Sequence, residues 1–285
     1  DDRKTPNIEG LRIDLATLEV TSLGKSLYGN NWNGVNKENS VVILADGYTA
    51  GDIVLYIWRK GMTERQLLQG IPIEKRTKDQ QIKLSGFGTC NFTPDEKGLL
   101  VRTNLFSDEG SIGYLALDNP ANITEVPISG VRHKGNGELV DLKTVIDNLY
   151  LLEYNIDGCS WLYECHYHED KSNRQLEVTR TLCGLPPLEE GVLLGYDFEL
   201  QKTSGHTKVG YVLSHAKANI PAQLYLYPTG SQARTPKLLS HERILGIDQK
   251  FLSSGEDASY TSFDGVRISA RLYLPSKELS FKGPR

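Results

Sequence analysis

A chain of 285 residues has room for one large all-β domain or two smaller ones. A formal net charge of −4 supplies no basic face for phosphates, which argues against a nucleic-acid partner. No apolar run approaches the roughly 18–20 residues that a membrane span needs, so no membrane partner is expected either. Asp1, Asp2, Arg3 and Lys4 form a charged start without signal-peptide character. Cys90, Cys159, Cys165 and Cys183 make no C-x-x-C pair and match no zinc spacing. They read as reduced thiols, which places the protein in the cytoplasm.

Long helical patterns are scarce. Short runs rich in Val, Ile, Leu and Tyr alternate instead with Gly, Asn, Asp and Pro clusters, which predicts an all-β fold. One unit recurs: an apolar-aromatic strand, a polar turn, a second strand and a polar stop. It is first met at residues 11–24, where Leu18 stands in the hairpin turn. It returns at 53–68, 111–128, 160–182 and 222–239. Tyr56, Tyr114, Tyr163 and Tyr225 take matching places in the last four copies, roughly 50–60 residues apart. That period is the length of a four-stranded propeller blade with generous loops. Further strands precede these units, at 138–145 and 149–154 before the fourth, and at 192–200 and 209–215 before the fifth. The fold class predicted is a β-propeller of four-stranded antiparallel blades, four complete ones plus an outer hairpin before them. Inner strands are expected near 41–45, 84–90, 138–145 and 192–200.

The tail carries the most specific signal. Val266, Ile268, Ala270, Leu272 and Leu274 share one face of a period-two run, and Arg267, Ser269, Arg271 and Tyr273 share the other. Phe263-Asp264-Gly265 reads as the turn before this strand, and Pro275 ends it. Residues 260–275 resemble the junction of prolyl oligopeptidase-family serine peptidases, acylaminoacyl-peptidase-like members included. There a β-propeller hands over to an α/β-hydrolase domain. Residues 92–98 (Phe92, Thr93, Pro94, Asp95, Glu96, Lys97, Gly98) are similar to a blade turn of that family, with Glu96 and Lys97 inserted. At the place of Leu18 the family commonly has Gly. The resemblance implies a propeller portion at residues 1–258, and at 259–285 the junction and first strand of a catalytic domain. It also implies a ring that gates access of short or acylated peptides to a serine, with the serine, aspartate and histidine beyond Arg285. The partners implied are that hydrolase domain in cis and, through it, a peptide substrate. No cofactor is implied.

No chemistry is assigned to the chain itself: no catalytic, cofactor-binding or metal-binding residue is named. The nucleophile elbow G-x-S-x-G is absent from the sequence, as is a His-Gly-Gly run. Gly24-Lys25-Ser26 mimics the end of a phosphate loop, but Glu19 stands where the leading Gly belongs and would repel phosphate. Glu164, His166 and His168 share one strand face at a spacing that two metal ligands can use; the polar outer face of a blade is the reading preferred. Trp161, Tyr163 and Glu164 are faintly similar to a substrate-amine-gripping run of dipeptidyl peptidases, but Cys165 stands where that run has a second Glu, so the role is not transferred. Arg132, His133 and Lys134 lie in a Gly-rich loop and read as solvated. Arg267 and Arg271 are expected to pair with acids of a neighbouring domain or to be solvated. The alternative function is a free-standing propeller that binds a protein or small ligand without catalysis.

Overall fold

A computed structural model describes residues 6–78, 80–82, 85–171 and 173–279. Among them the only helical segments are two single 3-10 turns, Ile73–Lys75 and Gln249–Phe251. Contacts divide the chain into two compact units. The described residues of the first fall within Asp1–Ser129, Leu139–Leu152 and Cys165–Glu177, and those of the second within Gly130–Glu138, Glu153–Glu164 and Val178–Arg285.

The first unit opens with a hairpin, β1 (Ile8–Ile13) against β2 (Val20–Ser26). A four-stranded antiparallel meander follows: β3 (Asn31–Val35), β4 (Val41–Thr49), β5 (Asp52–Arg59) and β6 (Gln66–Gln69). A second meander is built from β7 (Phe87–Phe92), β8 (Gly98–Thr103), β9 (Ser111–Ala116) and β10 (Asn119–Glu125). Next in chain order, β11 (Ile128–Ser129) starts a five-stranded sheet, β11-β15-β14-β13-β12, whose strands are divided between the two units. Its other members are β12 (Gly137–Ile146), β13 (Leu149–Ile156), β14 (Cys159–Asp170) and β15 (Asn173–Cys183). In the second unit, β16 (Val192–Thr203), β17 (His206–Lys217), β18 (Ile220–Tyr227) and β19 (Lys237–Leu238) form another meander.

The apolar runs explain the packing. On β4 and β5, Ile43, Ala45, Leu55 and Ile57 pack with Phe87, Phe92, Leu99, Val101 and Leu115 of the next meander. On the opposite face, Val42, Leu44 and Trp58 pack with Leu23 of the opening hairpin. A sheet covered on both faces needs apolar residues at consecutive positions, which is why residues 41–45 read as an unbroken apolar run. The predicted tyrosines Tyr56, Tyr114, Tyr163 and Tyr225 all sit on the third strand of a meander. The turn at 92–98 joins β7 to β8. Thr93 accepts the Gly98 N–H on its hydroxyl and donates that hydroxyl to Asp95 at 2.7 Å, and Glu96 takes φ 57°.

Two expectations need correction. Residues 41–45 lie in β4, the second strand of its meander; the first strand is β3. Asn31, Trp32, Asn33 and Gly34 carry no apolar alternation, so this strand left no pattern to read. Of the segment 84–90, Leu84 lies outside the described residues and the strand begins at Phe87. The second correction is in the tail. Residues 266–274 are not one strand but two short pieces, β22 (Arg267–Ile268) and β23 (Arg271–Leu272). They pair antiparallel with β21 (Tyr260–Thr261) and β20 (Glu256–Asp257), respectively. Residues 256–272 thus fold back on themselves, and the Ala258 N–H bonds the Ala270 carbonyl at 2.9 Å between the two pairs. Phe263-Asp264-Gly265 is the turn, as expected: Gly265 takes φ 84° and its N–H bonds Ser262 O at 3.0 Å.

Candidate functional site

The alternation in the tail sorts its side chains into a polar and an apolar face. From the polar face, Arg267 and Ser269 reach the turn between β13 and β14. Asp157 stands in the Asp157-Gly158 turn between β13 and β14, with φ 50° and 78° at the two residues. Two consecutive positive φ values are what a tight hairpin turn demands, and Asp and Gly are residues that tolerate them. At this tip the Asp157 carboxylate accepts from Arg267 Nη1 at 2.6 Å and from the Ser269 hydroxyl. The second guanidinium nitrogen of Arg267 donates to Ser259 Oγ at 3.0 Å, so both strands of the hairpin are tied to one group. These bonds, the Arg267 one foremost, hold the Asp157 carboxyl below the usual carboxylate range. The same pair raises Arg267. Asp257 is lowered as well, by its bonds from Ser259.

Arg271 is held more loosely. Its nitrogens lie 3.8 Å from Glu190, 3.7 Å from Cys159 Sγ and 3.4 Å from the Ser254 carbonyl. Asp157, Cys159, Glu190, Arg267, Arg271 and Tyr273 are among the walls of a polar cleft of about 460 Å³. Arg267 thus pairs with an acid within residues 1–258, and the exposed Arg271 approaches another at 3.8 Å. On the apolar face Val266 is 52% exposed, Ile268 38% and Leu272 45%, while Ala270 and Leu274 are half-buried; Phe263 at the turn is fully exposed.

His133 departs from the expectation of a solvated loop. Arg132 and Lys134 are exposed, but His133 is half-buried in a ring cluster, 4.6 Å from Tyr154 and 5.8 Å from both Trp161 and Tyr163 between centroids. The Tyr163 hydroxyl accepts the backbone N–H groups of Arg132 and His133 at 3.2 and 3.1 Å. Its one proton is left for His133 Nδ1, 2.9 Å away. Nδ1 is then an acceptor, and the imidazole is neutral with its proton on Nε2. Burial lowers the His133 pKa, in keeping with that assignment. Gly184 makes room for the cluster, since a Cβ there would lie 2.2 Å from the Trp161 ring. The Gly-rich loop is thus pinned at its histidine. Sequence reasoning missed this because the partners lie on strands some 20–30 residues away.

On β14, Tyr163, Cys165 and Tyr167 are buried while Glu164 and His166 are half-buried and His168 is exposed. Their partners are local: Glu164 pairs with Arg180 at 3.1 Å and His168 with Glu177 at 3.4 Å. Among the described residues no three His, Cys, Asp or Glu side chains gather as metal ligands. The four cysteines are free, and Cys90, Cys165 and Cys183 are buried.

Four-stranded antiparallel meanders in succession are the repeating unit of a propeller. The chain has the propeller fold of prolyl oligopeptidases. It superposes on prolyl oligopeptidase B from Galerina marginata with a TM-score of 0.56 at 10% identity, over 92% of this chain and 36% of that one. A prolyl endopeptidase solved in a study of inter-domain dynamics gives 0.52 at 15% identity, over 82% and 29%. Oligopeptidase B from Trypanosoma brucei, with covalently bound antipain, gives 0.51 at 14% identity, over 82% and 30%. The chain therefore spans about a third of the length of the solved structures it resembles. These peptidases join a propeller to a catalytic α/β-hydrolase domain. No family model matches the sequence, and no curated protein does. Among the described residues no helix is long and apolar enough to cross a membrane.

Proposed function

We propose that this chain is the substrate-gating propeller portion of a prolyl oligopeptidase-family serine peptidase that cleaves short or acylated peptides. Residues 1–258 supply blades and residues 259–285 the junction and first strand of an α/β-hydrolase domain that holds the serine, aspartate and histidine. The observation that carries this reading is the inverted packing of the tail. A hairpin that seats Arg267 on Asp157 and leaves Val266, Ile268 and Leu272 exposed lacks the partner its pattern is built for. Leaving such side chains half covered forgoes part of the about 1.5–3 kcal/mol that full burial of each gives, which a second domain covering them would recover. The fold shared with peptidases at about a third of their length supports the same division. Peptide substrate reaches the serine only through that domain in cis; neither nucleic acid, membrane nor cofactor has a part. Four free thiols support a reducing, cytoplasmic setting.

The test uses a serine-directed fluorophosphonate probe. The 285-residue chain should not be labelled and should not hydrolyse peptide p-nitroanilides. A protein translated from the gene through the sequence that follows residue 285 should do both. Should the reading frame end after Arg285, the peptidase reading fails for this protein, and a free-standing binding propeller takes its place.

A further inference from the structure

We infer that Asp157 is a positioning residue that clasps residues 256–272 by their polar face and so dictates that their apolar face points outward. What meets the outward face rests on the proposed junction; the clasp itself is a property of this chain. Hydrophobicity alone would turn Val266, Ile268 and Leu272 inward. These three are exposed instead, while Arg267 is half-buried against an acid, so a specific contact holds the polar side. Asp157 is the group placed to do so. It projects from a turn, its own N–H is fixed on the Asn136 carbonyl at 2.9 Å, and its carboxylate meets Arg267 and Ser269 together. Arg267 carries the link across to Ser259 on the other strand. An ionised carboxylate receiving a guanidinium and a hydroxyl makes charge-assisted bonds, about twice as strong as neutral ones. The other charged groups lining the cleft are Asp257, Glu190 and Arg271. Asp257 bonds only the hydroxyl and N–H of Ser259, two residues along the chain, and Arg271 approaches Glu190 only to 3.8 Å, so neither ties the hairpin to the β13–β14 turn.

The experiment is amide hydrogen exchange on the 285-residue chain, native and Asp157→Asn. Asn keeps the turn, because it accepts a positive φ, while removing the charge. The reporters are the hairpin's own backbone bonds, Ala258 N–H to Ala270 O and Ser262 N–H to Val266 O. Exchange at these amides should accelerate roughly tenfold in the variant, as expected for loss of a charge-assisted hydrogen bond, while amides of β8 stay as protected as before. Arg267→Gln should give a similar acceleration, and the double variant no more than the larger single effect. Unchanged exchange in Asp157→Asn, or additive effects in the double variant, overturns the clasp. If β8 also loses protection in Asp157→Asn, Arg267→Gln decides alone, and an unchanged hairpin there overturns the proposal. A failed clasp leaves the junction reading intact, since that reading is tested by the sequence beyond residue 285.

Discussion

A single side chain in the opening hairpin shows how far a residue can sit from its conformational preference. Leu18 takes φ 59°, in the left-handed region that a Cβ disfavours by roughly 1–2 kcal/mol. The turn demands it: the Leu18 N–H bonds the Asp14 carbonyl at 2.7 Å, and the Asp14 carboxylate accepts the N–H groups of Ala16 and Thr17. Nothing compensates through packing, because Leu18 is 72% exposed. Leu18→Gly should therefore stabilise the chain by about 0.5–1 kcal/mol, after subtracting the extra freedom Gly gains in the unfolded state. Thermal unfolding of the two proteins checks this; a lower melting temperature for the Gly variant would show that Leu18 makes a contact worth more than its strain.

The last meander shows the same economy in a whole element, with a buried titratable group at its centre. His215 on β17 is 1% exposed, and its Nε2 has no hydrogen-bond partner. Gly191, just before β16, lies against it: a Cβ there would come within 2.4 Å of both the His215 ring and the Ala216 carbonyl. Burial, assisted by the Lys217 charge and opposed by Glu189, pushes the His215 pKa down to about 4. In the unfolded chain it titrates near its ordinary 6.5, so between those two values the unfolded state binds the extra proton. Its contribution to stability is complete above about pH 6.5 and declines as pH falls toward 4. The loss from pH 7.5 to pH 5 should be about 2 kcal/mol. Urea midpoints of the native chain and of His215→Leu at both pH values isolate this difference, and equal pH slopes in the two proteins would refute it. The sequence announced this meander, because its strands are long and alternating. It did not announce β3, where Gly34 is needed for close approach rather than for any pattern: a Cβ there would lie 2.3 Å from the Cys90 carbonyl. Nor did it announce the clasp. The alternation at 266–274 defined two faces, but which one turns inward depends on Asp157, 110 residues before Arg267 in the chain. Propensity and periodicity are local, and this choice is made by a partner brought alongside by the fold.

For the whole molecule, the open question is how much of the fold needs its last thirty residues. The hairpin at 256–272 meets the rest of the second unit through ion pairs and hydroxyls. Its aliphatic side chains, together with Tyr260, Phe263 and Tyr273, stay exposed. Short strands with free edges and apolar surface favour association between copies. Ending the chain after Gly255 removes that surface and uncovers in exchange charged groups that water solvates well, Asp157 and Glu190. The truncated protein should remain folded, with its melting temperature within a few degrees of the parent, since polar surface contacts of this kind contribute little. Its solubility limit should rise, and light scattering should show fewer associated species at equal concentration. A large fall in melting temperature would mean that the hairpin completes the fold of the blades. In that case residues 256–272 belong to the propeller, and the proposed boundary at residue 258 would have to move beyond them.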